Sequence, residues 1–178
     1  ILWSFDTELR IFKGLSAYGE LLLDEIRISK IASDSWHNQT GYLGGLRWIH
    51  PFGYWRHELR TEYVRLRPFV YGHWFDVNIY SHFGHPLGSV LPPNSDELRA
   101  SWILHIRPDI TLDFFTILQR HGSTPEGQNP VGGSIHEMVP DSQAKDNFHY
   151  PFLDGNREDL REIGIQGSFR VLERMEIK

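Results

Sequence analysis

Between Arg99 and Leu118 two stretches alternate between apolar and polar residues on either side of Arg107-Pro108-Asp109. In the first, Leu98, Ala100, Trp102, Leu104 and Ile106 share one parity, and Glu97, Arg99, Ser101, His105 and Arg107 take the other, with Ile103 the exception. In the second, Leu112, Phe114, Thr116 and Leu118 face one way and Thr111, Asp113 and Gln119 the other, with Phe115 and Ile117 as exceptions. A period of two is that of a strand with one buried face. The short break predicts a hairpin.

The rhythm recurs at both ends. Ile1, Trp3, Phe5, Thr7, Leu9 and Ile11 alternate with Leu2, Ser4, Asp6, Glu8 and Arg10; Ile163, Ile165, Gly167, Phe169 and Val171 alternate with Glu162, Gly164, Gln166, Ser168 and Arg170. The pattern predicts an antiparallel all-β chain with strands near 1–12, 15–28, 41–50, 56–68, 97–107, 110–120 and 160–173, and a short one near 74–82. Runs of ten residues or more exceed the ~5 to 6 usual in soluble sheets and match the ~9 to 11 of a tilted strand crossing a bilayer. Two segments interrupt the rhythm, Pro68 to Pro93 and Gly122 to Arg157, as long loops of the kind that carry function. In a transmembrane barrel they would be extracellular, with the Arg107-Asp109 turn periplasmic.

Composition leaves both environments open. The chain has 178 residues, 40% of them hydrophobic, and a formal net charge of −5. Its mean hydropathy of −0.39 suits a soluble domain, but also a barrel whose apolar residues occupy alternate positions. No window approaches the ~18 apolar residues of a membrane helix. Arginines are interleaved with carboxylates and form no run, which speaks against a nucleic-acid surface. Cysteine is absent, which excludes disulfides and thiolate metal sites. The chain starts inside a predicted strand and has neither an initiator methionine nor a signal peptide. Residues 1–178 therefore read as one barrel region, an internal or C-terminal portion of a longer protein.

An ordered set of short motifs adds specificity. Tyr18-Gly-Glu20-Leu-Leu-Leu-Asp24, Gly41-Tyr-Leu-Gly-Gly45, Glu58-Leu-Arg-Thr-Glu62-Tyr63, Phe69-Val-Tyr71-Gly-His73, Tyr80-Ser-His82, His85-Pro-Leu-Gly88 and Pro92-Pro-Asn94-Ser-Asp96 follow one another in order between about residues 15 and 98. This set resembles the Wzi-like capsule assembly proteins, outer-membrane β-barrels of Gram-negative bacteria. The resemblance implies a large barrel, of which this chain is a part, occupied by internal structure. It also implies a surface lectin that holds capsular or other exported polysaccharide, without enzymatic activity. The implied partners are surface or capsular polysaccharide and outer-membrane lipid, with a further protein partner left open. No cofactor is implied.

The residues themselves carry three candidate chemistries. Ser16, Tyr18, Glu20 and Asp24 share a parity, as do Glu58, Arg60 and Glu62 on the strand read from Trp55 to Arg67. Glu20, Asp24, Glu58, Arg60 and Glu62 would thus meet in a lumen, where charges ordinarily pair into a structural network. Carboxylate pairs also permit glycoside hydrolysis, with Glu20, Asp24, Glu58, Glu62 and Asp113 eligible by type, but no acid stands in an apolar context that would raise its pKa. His73, His82 and His85, with Asp76 near by, are imidazoles available to a metal, yet their spacing matches no compact ligand signature. Hydrogen-bonded histidines within an aromatic loop are the simpler reading, and no metal is expected.

Trp74, Asn78, Tyr80, His82, Asn94 and Asp96 combine aromatic faces that stack on sugar rings with polar groups that satisfy hydroxyls. The same aromatics serve equally as an interfacial girdle or a pin for the loop. Trp3, Trp48 and Trp102 lie on apolar strand faces and read as lipid-facing or girdle residues. The expected function is an outer-membrane barrel that binds polysaccharide. A porin-type channel remains the first alternative, and a soluble β-sandwich, either a carbohydrate-binding module or a hydrolase, the second.

Overall fold

A computed structural model describes residues 2–30, 33–51, 56–137 and 149–170. Nine strands follow in order: β1 (Trp3–Phe12), β2 (Leu15–Glu25), β3 (Gln39–Ile49), β4 (His57–Leu66), β5 (Ser81–His82), β6 (His85–Pro86), β7 (Ser95–Arg107), β8 (Ile110–Ser123) and β9 (Asn156–Phe169). Seven of them form one antiparallel sheet in the order β1-β2-β3-β4-β7-β8-β9, and β5 and β6 make a separate two-residue hairpin. The all-β antiparallel expectation holds. Closure into a barrel does not appear among the described residues: β1 and β9 are the two edges of an open sheet.

The elements differ from the expected ones where side-chain pattern and backbone pairing part company. The region 74–82 is not a strand; it is a 3₁₀ turn at Asp76–Asn78 followed by the β5–β6 hairpin, because its run of aromatics has no continuous neighbouring strand to pair with. Residues 156–159 are polar on both faces and so gave no alternation, yet they pair with Arg120 through Ser123. β2 ends at Glu25, with a 3₁₀ turn at Ile28–Lys30 where it was expected to continue. Trp55, and the residues after Arg170, fall outside the described residues.

Short turns lie at one end of the sheet and long connections at the other, as a meander requires. Lys13-Gly14 joins β1 to β2, with Gly14 at φ 91°, where an added Cβ would run into the Ile49 carbonyl. Pro108-Asp109 joins β7 to β8 across a bulge between His105 and Arg107. At the opposite end run residues 67–94, 124–137 and 149–155.

Register gives the sheet two chemically distinct faces. One face carries Trp3, Phe5 and Leu9 of β1, then Leu15, Leu21 and Leu23 of β2, and Leu46 and Trp48 of β3. It continues through Leu59, Leu98, Trp102, Leu104, Leu112, Phe114, Leu118, Ile163, Ile165 and Phe169, each beside an apolar or small neighbour along most of its row. The other face carries Asp6, Glu8, Glu20, Arg47, Glu58, Arg60, Glu62, Arg99, Asp113, Glu162 and Gln166. The apparent exceptions in the sequence belong to this second face. The Phe115 ring lies over its cross-strand partner Gly164, as Tyr18 lies over Gly45, so each aromatic covers backbone that a Cβ would obstruct. Ile117 is buried.

The buried cluster sits on the polar face. Leu22 and Leu66 project there and meet Val70, Tyr71, Leu91 and Ile135 from the long connections. Phe69, fully buried, packs edge-on to Tyr150 and joins Trp36 in a second small cluster. Phe69 and Tyr71 adopt left-handed φ values of 64° and 67°, a costly conformation for aromatic residues. Their burial and backbone contacts offset it: the Phe69 amide donates to Gly132 O at 3.1 Å and the Tyr71 amide to Asp24 Oδ2 at 2.8 Å. The apolar face has no such cover among the described residues. Trp3, Leu9, Ile163, Ile165 and Phe169 are 59%, 64%, 87%, 69% and 78% exposed, which leaves a wide apolar surface bare.

The apolar band crosses the strands obliquely. The row of Trp3 runs through Leu23 and Thr40, then by backbone hydrogen bonds through Arg67, Asn94 and Gly122 to Arg157 on β9. The first apolar residue of that face on β9 is Ile163, six positions further on (157 to 163). Six residues at ~3.3 Å against six inter-strand steps of ~4.8 Å incline the band by about 35° from the perpendicular to the strands. On β7 the band runs from Leu98 to Ile106, about 27 Å along the strand and about 22 Å when projected through that tilt.

Asn94, with φ 55° and no exposed surface, locks the loop end of the sheet. Its Nδ2 donates to Gly122 O at 2.9 Å and Asp154 O at 3.1 Å, and its Oδ1 accepts from the Leu153 amide at 2.7 Å. Replacing Asn94 by Ala removes three hydrogen bonds and leaves buried partners unmatched, so stability in urea unfolding is expected to fall by about 3 kcal/mol. A fall below ~0.5 kcal/mol would contradict the role.

Candidate functional site

The polar face builds its charge network from three strands. Arg47 on β3 and Arg60 on β4 are direct cross-strand partners, an arrangement of like charges that is unfavourable by itself. Glu58 lies between them: Arg47 Nε and Nη2 donate to its two oxygens at 2.9 and 3.2 Å, and Arg60 Nε donates to Oε1 at 3.1 Å. The carboxylate is nearly buried while both guanidiniums remain about half exposed. Glu62, two residues on, accepts the Tyr18 hydroxyl at 2.8 Å. Glu20 accepts the Ser4 hydroxyl at 2.8 Å, and Asp24, at a register shift in β2, reaches out to the Tyr71 amide.

The five expected network residues therefore do three different things. Glu58 and Arg60 form an ion pair. Glu62 and Glu20 are held by hydroxyls on the same face. Asp24 anchors the connection that crosses it. Arg47, the other half of the Glu58 fork, is absent from the expected network, although alternation against Leu46 and Trp48 places it on the polar face.

Toward the loop end the same face opens into a cavity of about 630 Å³. Glu20, Glu62, Glu97 and Arg99 line its floor, with Arg99 Nε and Glu97 Oε1 3.9 Å apart, and Tyr71 and Tyr80 come from the connection above. The two tyrosine rings lie 5.7 Å apart. Burial raises the Tyr71 phenol above its ordinary pKa, so the group stays protonated, and its oxygen accepts the Ser89 amide at 3.2 Å. A cavity with an aromatic wall and charged groups on its floor can grip a polar ring by stacking and hydrogen bonding.

The residues expected to bind glycan divide into two groups. Trp74, Asn78, Tyr80 and His82 come from one connection. Trp74 and Tyr80 are 42% and 40% exposed, Asn78 Nδ2 lies 3.5 Å from His73 Nδ1, and the His82 ring stands 4.3 Å from Phe83. Of these, Tyr80 lines the cavity. Asn94 and Asp96 are elsewhere. Asn94 spends its side-chain groups on the loop lock, and Asp96 is 2% exposed on the apolar face, held by Arg120 Nε at 2.8 Å and by the Tyr63 hydroxyl at 2.8 Å. Glu97 and Arg99, one and three positions from Asp96, are the neighbours that do face the cavity. Among the described residues no three His, Asp or Glu side chains gather as a metal site.

Substituting Glu58 by Gln leaves Arg47 and Arg60 opposed across the strands. The expected loss is about 2 kcal/mol, reduced from the value of a fully buried pair because both arginines reach solvent. A double-mutant cycle with Arg47→Met checks it: coupling near zero would show that the fork contributes nothing.

In comparison with known proteins, no protein-family model matches the chain, and neither curated proteins nor solved structures give a match.

Proposed function

We propose that this chain forms part of an outer-membrane β-barrel that binds exported or capsular polysaccharide and helps to retain it at the cell surface, as the capsule assembly proteins it resembles do. The observation that carries the reading is the inversion of the sheet: the buried cluster lies on the polar face, and the apolar band is bare below the loop end, where Phe152 covers Arg65. In a soluble sandwich the apolar faces would meet in a core. Lipid is the environment that matches a bare apolar face. The band's inclination of about 35° and projected height of about 22 Å agree with strands tilted ~35–45° and an apolar belt ~25 Å tall in transmembrane barrels.

Within that reading the charged face is luminal and the long connections are extracellular. Tyr80 lines the cavity floored by Glu20, Glu62, Glu97 and Arg99, and Trp74 is exposed on the same connection. The role proposed is binding: Glu58 and Glu62 accept hydrogen bonds from Arg47, Arg60 and Tyr18 and so belong to the network that holds the strands together. A diffusion pore fits less well, because paired charges and packed connections occupy the face that would line it.

Two measurements test the proposal. Phe114→Arg, in mid-band, is expected to weaken insertion into lipid vesicles by ~2–4 kcal/mol, while Gln166→Arg, on the charged face beside Asp113, leaves it unchanged. Equal insertion of both would count against the orientation. Trp74→Ala with Tyr80→Ala should lower affinity for surface polysaccharide about tenfold without changing assembly. Unchanged retention would remove these two aromatics from the site.

A further inference from the structure

Where the apolar band ends on the loop side, the same face turns cationic. Tyr42, Arg65, Asp96, Arg120 and Asp159 occupy one row as successive cross-strand partners. Arg161 lies in the row beneath, opposite Leu118, and Arg157 beyond, opposite Gly122. Four arginines thus meet two aspartates. Asp96 forks Arg120, and Asp159 holds Arg157 Nε at 2.8 Å. The Arg65 guanidinium stacks 3.7 Å from the centre of the Phe152 ring. Arg161 is exposed and has no hydrogen bond or ion pair among the described residues. Tyr63, Asp96, Arg120, Arg157, Asp159 and Arg161 surround an open cavity of about 430 Å³ whose lower wall is Leu98 and Leu118, the last apolar residues of β7 and β8.

We propose that the Arg120–Arg157–Arg161 cluster binds the phosphate-bearing headgroup of a membrane lipid whose acyl chains lie against the apolar band below it. The inference rests on the membrane orientation proposed above and assigns a ligand to the band's upper border. Charge complementarity selects the occupant. Three guanidiniums and two carboxylates line this cavity, and the surplus guanidinium, Arg161, directly above an apolar wall matches an anion carried on hydrocarbon, which arginine's planar fork binds in two places at once. A neutral headgroup would leave the cationic surplus unmatched. A soluble anion would make no use of Leu98 and Leu118.

The test separates this proposal from the orientation on which it rests. Insertion of the full chain into phosphatidylcholine vesicles, read as a compact form that migrates differently after heating, tests the orientation alone. Retention of bis-phosphorylated lipid A, compared with its dephosphorylated form, on the protein folded in neutral detergent then reads the headgroup by native mass spectrometry. The expected result is insertion of both wild type and Arg157→Gln/Arg161→Gln, a preference of about tenfold for the phosphorylated lipid in wild type, and loss of that preference in the variant. Insertion without any phosphate preference in wild type, or a preference that survives in the variant, overturns the lipid site and leaves the orientation standing. Failure of wild type to insert overturns both. The wild-type comparison decides the matter even if the double variant does not fold, and Arg161→Lys, which keeps the charge and loses the fork, should retain part of the preference.

Discussion

Cross-strand register is the constraint on which everything else depends. A one-residue slip between any two neighbouring strands would send Trp102 or Phe114 to the charged side and Arg60 or Asp113 to the apolar side, so pairing and face chemistry have to agree at all six pairings of the sheet. Each face supplies part of the enforcement. Apolar residues align in rows on one side. On the other, the Arg47–Glu58–Arg60 fork and the Tyr18–Glu62 hydrogen bond are satisfied only in the register observed. At the loop end Asn94 joins the β7 entry to β8 and to the approach of β9, and the buried loop cluster closes over Leu22 and Leu66.

This arrangement reverses the usual relation between burial and polarity. The connections bury their own apolar residues against a face that is otherwise charged, which restricts the packed region to the loop end, while the long apolar band is left for an environment outside the chain. The oblique border of that band follows from the same register. The change from apolar to charged residues moves along each strand in turn, from Trp3 on β1 to Ile163 on β9, and in the proposed orientation a level hydrocarbon layer would meet tilted strands in this way. The connection that carries Tyr80 and the arginine cluster lie at or above this border, and the cavity reaches below it to Glu20 and Arg99 on the other face. Binding of glycan inside and of lipid headgroup outside would then share one end of the sheet.

Much of the fold was legible because a period of two is local and each long strand displays it. Leu98 to Ile106 and Leu112 to Leu118 were assigned to their face from spacing alone, and Glu58, Arg60 and Glu62 to the other. What spacing could not supply was distance between strands. Asp24 and Glu20 share a parity, but a register shift sends Asp24 to the Tyr71 backbone. Asn94 and Asp96 sit next to the loop motifs in sequence and carry suitable chemistry for a sugar, yet one is consumed by the loop lock and the other lies on the opposite face with Arg120 and Tyr63. The polar strand end 156–159 was invisible because alternation vanishes when both faces are polar. The tilt of the band, too, emerges only when the six registers are laid side by side.

The central claim is that the apolar face meets lipid, and the absence of native cysteine permits a direct test. Single cysteines placed in turn from residue 111 to 119 on β8 and carrying a nitroxide would report collisions with oxygen, which concentrates in hydrocarbon, and with a water-soluble nickel chelate. The account predicts oxygen accessibility that peaks at 112, 114, 116 and 118 in membranes and falls at the odd positions between them. Even positions that are shielded from both reagents, or open mainly to the nickel chelate, would place that face in a protein core or in water and contradict the account.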